Sequence, residues 1–123
     1  MMAGVRHKDT KPELMVRSFL HRHGFRFRLH RKDLAGKPDI VLPKYRHAVF
    51  VHGCFWHQHL GCRKAKRPTT NTHFWDEKLD RNILRDRENL RALIAAGWTV
   101  LILWECQIGE ERLTALLKEI AGR

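Results

Sequence analysis

The apolar positions of this chain follow two periods, and the alternation between them predicts the elements. Val16, Phe19 and Leu20 recur at helical spacing behind a start signal, with Thr10 as N-cap, Pro12 in the first turn and Glu13 at the capping-box position. The helix is expected to run to about His23 and stop at Gly24. Glu13 falls on its inward side, and a plain capping box is enough to account for it. Phe25–Leu29 alternates aromatic and basic residues (F-R-F-R-L), a short half-buried strand with a basic outer face, and His30–Asp33 is a charged loop. Two apolar runs, Ile40–Leu42 and Ala48–His52, are joined by Pro43–Arg46 as a hairpin. The second run ends at Gly53, where a backbone without Cβ can turn sharply.

Arg63–Thr72 is basic and contains Pro68, so it reads as a surface loop. A long helix is expected from Thr72 to about Ala96, ended by Gly97, with Leu79, Ile83, Leu90 and Ile94 as its buried stripe. Asp86 lies on that stripe. A carboxylate there needs a partner, such as the His52 imidazole or an arginine, because an unpaired buried charge is expensive. Trp98–Trp104 is apolar on both faces, as in the middle of a covered sheet. Glu110–Ile120 is a last amphipathic helix with Leu113, Leu116, Leu117 and Ile120 inward. The order α-β-β-β-α-β-α predicts an α/β fold, a mixed β-sheet flanked by helices, in a single domain over residues 1–123.

Charge changes the picture more than composition does. The 123 residues carry a net charge of +11, with a pI near 10.3. The commonest use of such an excess is to neutralise a polyanion such as DNA or RNA. No apolar run reaches the length of a membrane span and no signal-peptide core opens the chain, so no membrane partner and a cytosolic location are expected.

The chemistry concentrates in Val49–Cys62, V-F-V-H-G-C-F-W-H-Q-H-L-G-C. Three cysteines cannot all pair, and in a reducing compartment clustered thiols are more often metal ligands. Cys54, His59, Cys62 and Cys106 supply three thiolates and an imidazole, the ligand set of a structural zinc, with His57 a rival for the imidazole place. Asp39 opens an apolar run straight after Pro38, where a turn carboxylate bonding nearby backbone and a rigidly held metal ligand are both possible.

G-K-P-D-I-V, V-F-V-H-G-C-F-W-H, F-W, R-D-R and G-W-T-V-L-I-L-W-E-C together resemble the very short patch repair endonucleases of bacteria, over nearly the whole chain from about Met2 to about Cys106. The resemblance implies a restriction-endonuclease-like fold. It also implies a magnesium-dependent nick 5′ to the T of a T:G mismatch in double-stranded DNA, of the kind left when 5-methylcytosine deaminates. By resemblance Asp39 binds the catalytic metal with main-chain oxygen of Val51. His57 activates the attacking water, His52 is a second active-site histidine supported by Asp86, and Glu13 belongs to the site. Cys54, His59, Cys62 and Cys106 hold the zinc. Phe55, Trp56 and Trp75 wedge into the DNA, and Met2 adds to the grip.

A monomer, partnered by mismatch-repair proteins and associated with the nucleoid, is the corresponding expectation. Two features depart from the family pattern. One more residue than expected separates His59 from Cys62 (Leu60-Gly61), which reshapes the zinc loop. The chain also begins almost at Met2, where the family carries a further basic segment; a trimmed start and a diverged relative with altered specificity both fit. A nuclease of the same fold with other DNA specificity, or a zinc-stabilised DNA-binding module without cleavage, are the competing readings of the same residues.

Overall fold

The structure, a computed structural model, describes residues 9–122; Met2 lies outside them. Helix α1 (Lys11–Arg22) starts as its residues dictate. Thr10 Oγ1 accepts from the Glu13 N–H at 3.3 Å, and Glu13 Oε1 reaches back to the Asp9 N–H at 3.1 Å, so two otherwise orphaned donors are satisfied reciprocally. Gly24 then takes φ +82°, a left-handed stop.

Strands β1 (Arg28–Leu29), β2 (Ile40–Leu42), β3 (His47–His52) and β4 (Thr99–Trp104) form a sheet in that order. The first three are antiparallel and β4 joins β3 in parallel, His47 opposite Thr99 through His52 opposite Trp104. The β2–β3 link is a 3₁₀ turn over Pro43–Tyr45, closed by Arg46 in the left-handed region. The crossover from β3 to β4 contains helix α2 (Thr72–Ala95), and helix α3 (Glu110–Ala121) follows β4.

Strand alternation sorts the core onto two faces. Ile40, Leu42, Val49 and Leu103 pack with Val16, Phe19 and Leu20 of α1 and Leu113, Leu116 and Ile120 of α3. Val41 and Ala48 point the other way, to Leu93 of α2 and Trp98. His52 follows Ala48 and Phe50 on that second face, whereas Val51 faces the α1 side. Among the described residues no helix is long and apolar enough to cross a membrane.

Three expectations need correction. The strand expected over Phe25–Leu29 is only Arg28–Leu29; Phe25 and Phe27 pack half-buried against the core without a ladder. Strand β4 lies at the edge of the sheet, paired only with β3 among the described strands. Apolarity on both faces reports helices above and below a strand, not neighbours on both sides. In α2 the stripe passes through Leu79 and Leu93, while Ile94 is 57% exposed. At 100° per residue both 93 and 94 lie within about 60° of the line through Leu79. The turn out of the helix, in which the Trp98 N–H returns to the Leu93 carbonyl at 3.0 Å, selects Leu93.

Leu93→Ala is therefore expected to lower unfolding free energy by about 2–5 kcal/mol, whereas Ile94→Ala should stay within about 0.5 kcal/mol of the parent. Urea unfolding of the two variants checks this; equal losses would restore the stripe read from periodicity.

Candidate active site and metal centre

Because β3 and β4 are parallel, their C-terminal ends leave the sheet on the same side, and the antiparallel β2 begins there. Asp39, His52, His57 and the clustered cysteines gather at this end of the sheet. A cleft of about 260 Å³ opens on the α2 side, lined by Asp39 at the start of β2, His52 at the end of β3, His57 from the following turn and Asp86 from α2, with Lys37 and Asn89 at its rim. The Gly36 loop closes on α2 so tightly that a Cβ there would sit 3.0 Å from Asn89 Cβ. A second hollow adjoins the cleft on the α1 side, bounded by Glu13, Val51, His52, Trp56 and His57 among others.

The two histidines differ in what they can do. His57 Nδ1 lies 2.7 Å from Asp86 Oδ2, which leaves Nε2 for the cleft and an anion to stabilise the ring if it gains a proton. His52 stacks on His57 with ring centroids 3.7 Å apart and planes 5° from parallel. Burial, and then the His57 ring beside it, push the His52 pKa down to about 3 against the pull of Asp86. Its Nδ1 is enclosed without a hydrogen-bond partner, so Nε2 is what His52 can offer the cleft. The neutral ring is a hydrogen-bonding group here, not a cation. The expected support of His52 by Asp86 is thus redirected: the carboxylate takes the imidazole five residues on, because the turn after β3 swings His57 over His52 towards α2.

Asp39 Oδ2 accepts from the Val51 N–H at 2.7 Å, a bond that fixes the carboxylate against β3. Desolvation nevertheless raises its pKa to about 6; the Val51 bond opposes that shift and the nearby Glu13 charge adds to it. An acid held above its usual range in a cleft with a paired histidine is where a cation would be welcome. Glu13 is 1% exposed, with Oε2 2.7 Å from His30 Nε2 and 3.3 Å from Arg17 Nη1.

Past His52 the chain makes a compact turn. Gly53 does not take a positive φ, and a Cβ on it would meet only Trp56 Cδ1 at 3.7 Å and Glu105 Oε2 at 3.8 Å; the left-handed residue is Gln58, φ +51°. Gln58 donates to the carbonyls of Phe55 and Ala65, and accepts from Arg67, which also pairs with Asp76 and Asp80 of α2. Glu105 Oε2 accepts the Cys54 N–H at 2.9 Å, and Asn82 Nδ2 donates to the Trp56 carbonyl at 3.1 Å. None of these tethers was singled out from sequence. Their types are ordinary surface residues, and only the fold places them around one turn.

The turn brings Cys54, His59, Cys62 and Cys106 together, with ligand atoms all within 4.8 Å of one another. His59 Nδ1 is 3.6 Å from Cys54 Sγ and 3.3 Å from Cys106 Sγ. A tetrahedral ion with metal–sulfur bonds of about 2.3 Å and metal–nitrogen bonds of about 2.0–2.1 Å would have S···N edges of about 3.5 Å. The residues therefore fit a metal ion. His57, engaged with Asp86, is not among them, so the imidazole place falls to His59, whose ring stacks on Trp104 at 4.2 Å. Burial pushes the Cys54 thiol up to about 12 in the absence of a cation, whereas the Lys64 backbone N–H lowers Cys62. The additional residue before Cys62 leaves the ligand set together. Leu60 projects outward, 96% exposed, and Gly61 takes φ +77°.

Phe55, Trp56 and Trp75 cluster beside the same turn, with centroid separations of 5.0 to 6.0 Å, and Phe74 joins the edge of Trp75 at 5.2 Å. The first three are half-buried and Phe74 is 57% exposed.

Comparison with known proteins gives the arrangement a context. The family model described as DNA mismatch endonuclease Vsr matches residues 1–64. The type II nicking enzyme V.XorIIP of Xanthomonas oryzae pv. oryzae is 50% identical over 110 residues, 89% of this chain and 80% of its own length. V.NmeAIP of Neisseria meningitidis, another type II nicking enzyme, is 46% identical over 125 residues, 98% of this chain and 89% of that protein. The DNA mismatch endonuclease Vsr of Escherichia coli is 44% identical over 114 residues, 92% of this chain and 72% of the relative.

The raised Asp39 pKa makes a stability prediction. An acid whose folded pKa lies above its ordinary 3.8 destabilises the fold once ionised. That penalty is absent well below pH 3.8, grows as the pH rises towards 6, and is complete above it. Asp39→Asn keeps an acceptor for the Val51 N–H and removes the charge. In metal-free buffer at pH 8 it should be more stable than the parent by roughly 1–3 kcal/mol, an advantage that fades by pH 4. Thermal melts across that range test it; a variant less stable than the parent at pH 8 would show that the carboxylate is not strained there.

Proposed function

The chain belongs to the DNA mismatch endonuclease Vsr family and is a DNA endonuclease, and on that premise we propose that it nicks double-stranded DNA 5′ to the T of a T:G mismatch with the help of magnesium. The observation that carries the reading is the His57–Asp86 pair beside Asp39 in one cleft, next to the aromatic cluster of Phe55, Trp56 and Trp75.

Asp39, with main-chain oxygen of Val51, would hold the magnesium ion. When bound, the ion supplies charge neutralisation at the scissile phosphate. His57 takes the proton of the attacking water at Nε2 as that oxygen bonds to phosphorus and the P–O3′ bond breaks, and Asp86 stabilises the imidazolium that results. The leaving 3′-oxygen takes a proton from solvent. His52, neutral, hydrogen-bonds in the cleft through Nε2 and buttresses the His57 ring by stacking. Glu13 adds a second carboxylate from the α1 side. Lys37 at the rim and the +11 net charge favour the phosphodiester backbone.

Zinc is the ion proposed for Cys54, His59, Cys62 and Cys106. Four protein ligands leave no open position, so its task is to hold the turn. The sheet and its flanking helices are read as restriction-endonuclease-like. Phe55, Trp56 and Trp75 act as the wedge. A T:G pair differs modestly from a Watson–Crick pair at its base edges, but it unstacks more cheaply. Rings that insert beside it gain stacking of roughly 1–3 kcal/mol each.

Four results are expected. Elemental analysis of freshly purified protein should find one zinc per chain; none would remove the structural metal from the account. On matched duplexes with a T:G or a C:G pair, only the first should be nicked, and only with magnesium. Asp39→Asn should abolish cutting with DNA affinity preserved, and His57→Ala should slow it by about 10²–10⁴-fold; parental rates in Asp39→Asn would place the chemistry elsewhere. Trp56→Ala should lower the T:G-to-C:G ratio with folding and zinc content intact, whereas equal losses on both duplexes would make the ring ordinary packing.

A further inference from the structure

His30 has no part in the cleft chemistry, yet it bonds both acidic residues of the site, Glu13 through its side chain and Asp39 through the main chain. It follows β1 with φ +48°, a conformation that residues other than glycine seldom adopt. In that conformation its main-chain N–H donates to the Asp39 carbonyl at 3.1 Å. Its Nε2 meanwhile meets Glu13 Oε2 at 2.7 Å. Glu13 is pinned from three sides: Asp9 N–H on Oε1, and Arg17 and His30 on Oε2. The Arg17 bond is the long one, at 3.3 Å, and Arg17 is also engaged by Asp9 at 2.7 Å. His30 is therefore the tightest restraint on a carboxylate that borders the hollow shared with Val51, His52 and His57.

Asp9, Glu13 and His30 could themselves be taken for a metal site, since their ligand atoms lie close together. The Arg17 guanidinium already bonds Asp9 and Glu13 and supplies the positive charge there. A hydrogen-bonded support fits these neighbours better than a second cation does.

We propose that His30 is a positioning residue of this endonuclease. Its side chain fixes Glu13, and its main chain fixes the start of β2, so that Glu13 and Asp39 present their oxygens together to one divalent cation and its water. This rests on the proposed metal role of Asp39. Strained backbone at a residue that bonds the Glu13 carboxylate and the Asp39 main chain is what such a support requires, because the bonds hold a geometry that the chain would otherwise leave.

The test compares His30→Ala, His30→Gln and Asp39→Asn in the full chain. Manganese binding to the free protein is followed by electron paramagnetic resonance, with a thermal melt of each variant; thiolate sites select softer ions and should not compete for this probe. Single-turnover nicking of the T:G duplex is then measured against magnesium concentration. Expected for His30→Ala are a melt close to the parent, manganese affinity reduced about 5–10-fold, and a correspondingly higher magnesium requirement. DNA affinity should be unchanged. His30→Gln can donate from its Nε2 to the same oxygen and should recover most of both losses.

Parental manganese affinity and magnesium requirement in His30→Ala, with Asp39→Asn defective, would overturn the role of His30 and leave the cleft metal standing. Manganese binding undiminished in Asp39→Asn would overturn the cleft metal itself, and this proposal with it. A glutamine variant as impaired as the alanine variant, or an alanine variant that fails to fold and is not rescued, would show that the imidazole is packing rather than a hydrogen-bonded support.

Discussion

The parallel pairing of β3 with β4 is the constraint on which the rest depends. Two parallel strands in register, His47 with Thr99 through His52 with Trp104, must end at the same edge. Cys54 and Cys106, 52 residues apart in sequence, are thereby delivered to one place, and Glu105 can accept the Cys54 N–H. An antiparallel partner would have carried Cys106 to the opposite end. Once both strand ends meet, the ten residues from Gly53 to Cys62 have little freedom. Their cysteine and histidine ligands converge on Cys106, Gln58 is clamped by Arg67, and His57 lands on Asp86.

Several site groups are held in states that folding alone disfavours. Asp39 is desolvated enough to raise its pKa, Cys54 is a buried thiol, and His52 keeps an enclosed nitrogen without a partner. A bound cation would relieve the first two. The apolar core carries the opposite burden, with Val16, Leu20, Ile40, Leu42, Val49, Leu103, Leu116 and Ile120 fully buried across the α1/α3 face. The site can afford its strain because it sits at the edge of a sheet packed on both sides.

Much of this was legible in the chain, and the limits are physical. Element order and both long helix boundaries follow from local signals, namely Thr10, Gly24 and Gly97, together with 3.6-residue periodicity. The thiolate and imidazole ligand set read from residue types comes together as Cys54, His59, Cys62 and Cys106, while Asp39, His52, His57 and Asp86 line one cleft. Pairing within the site was less accessible. Which imidazole Asp86 takes depends on how a ten-residue turn folds back, and no periodicity encodes that. His30 read as part of a charged loop, as a solvated turn or a phosphate contact, and Arg67 as part of a basic surface loop, because their importance lies in bonds to residues 17 and 9 positions away. The edge position of β4 was hidden for a different reason, since side-chain polarity reports layers and not lateral neighbours.

We propose that a metal held by Cys54, His59, Cys62 and Cys106 bridges two strand ends and sets the geometry of the turn that carries His57 without touching that histidine. Cys106→Ser tests this directly, because Cys106 is remote in sequence from His57 and lies outside the cleft. Metal content and single-turnover nicking of a T:G duplex should be measured on the same preparation, with magnesium saturating. The account predicts that metal and nicking are lost together, while circular dichroism still reports the helices and sheet. A protein that has lost its metal and cuts at the parental rate would contradict it.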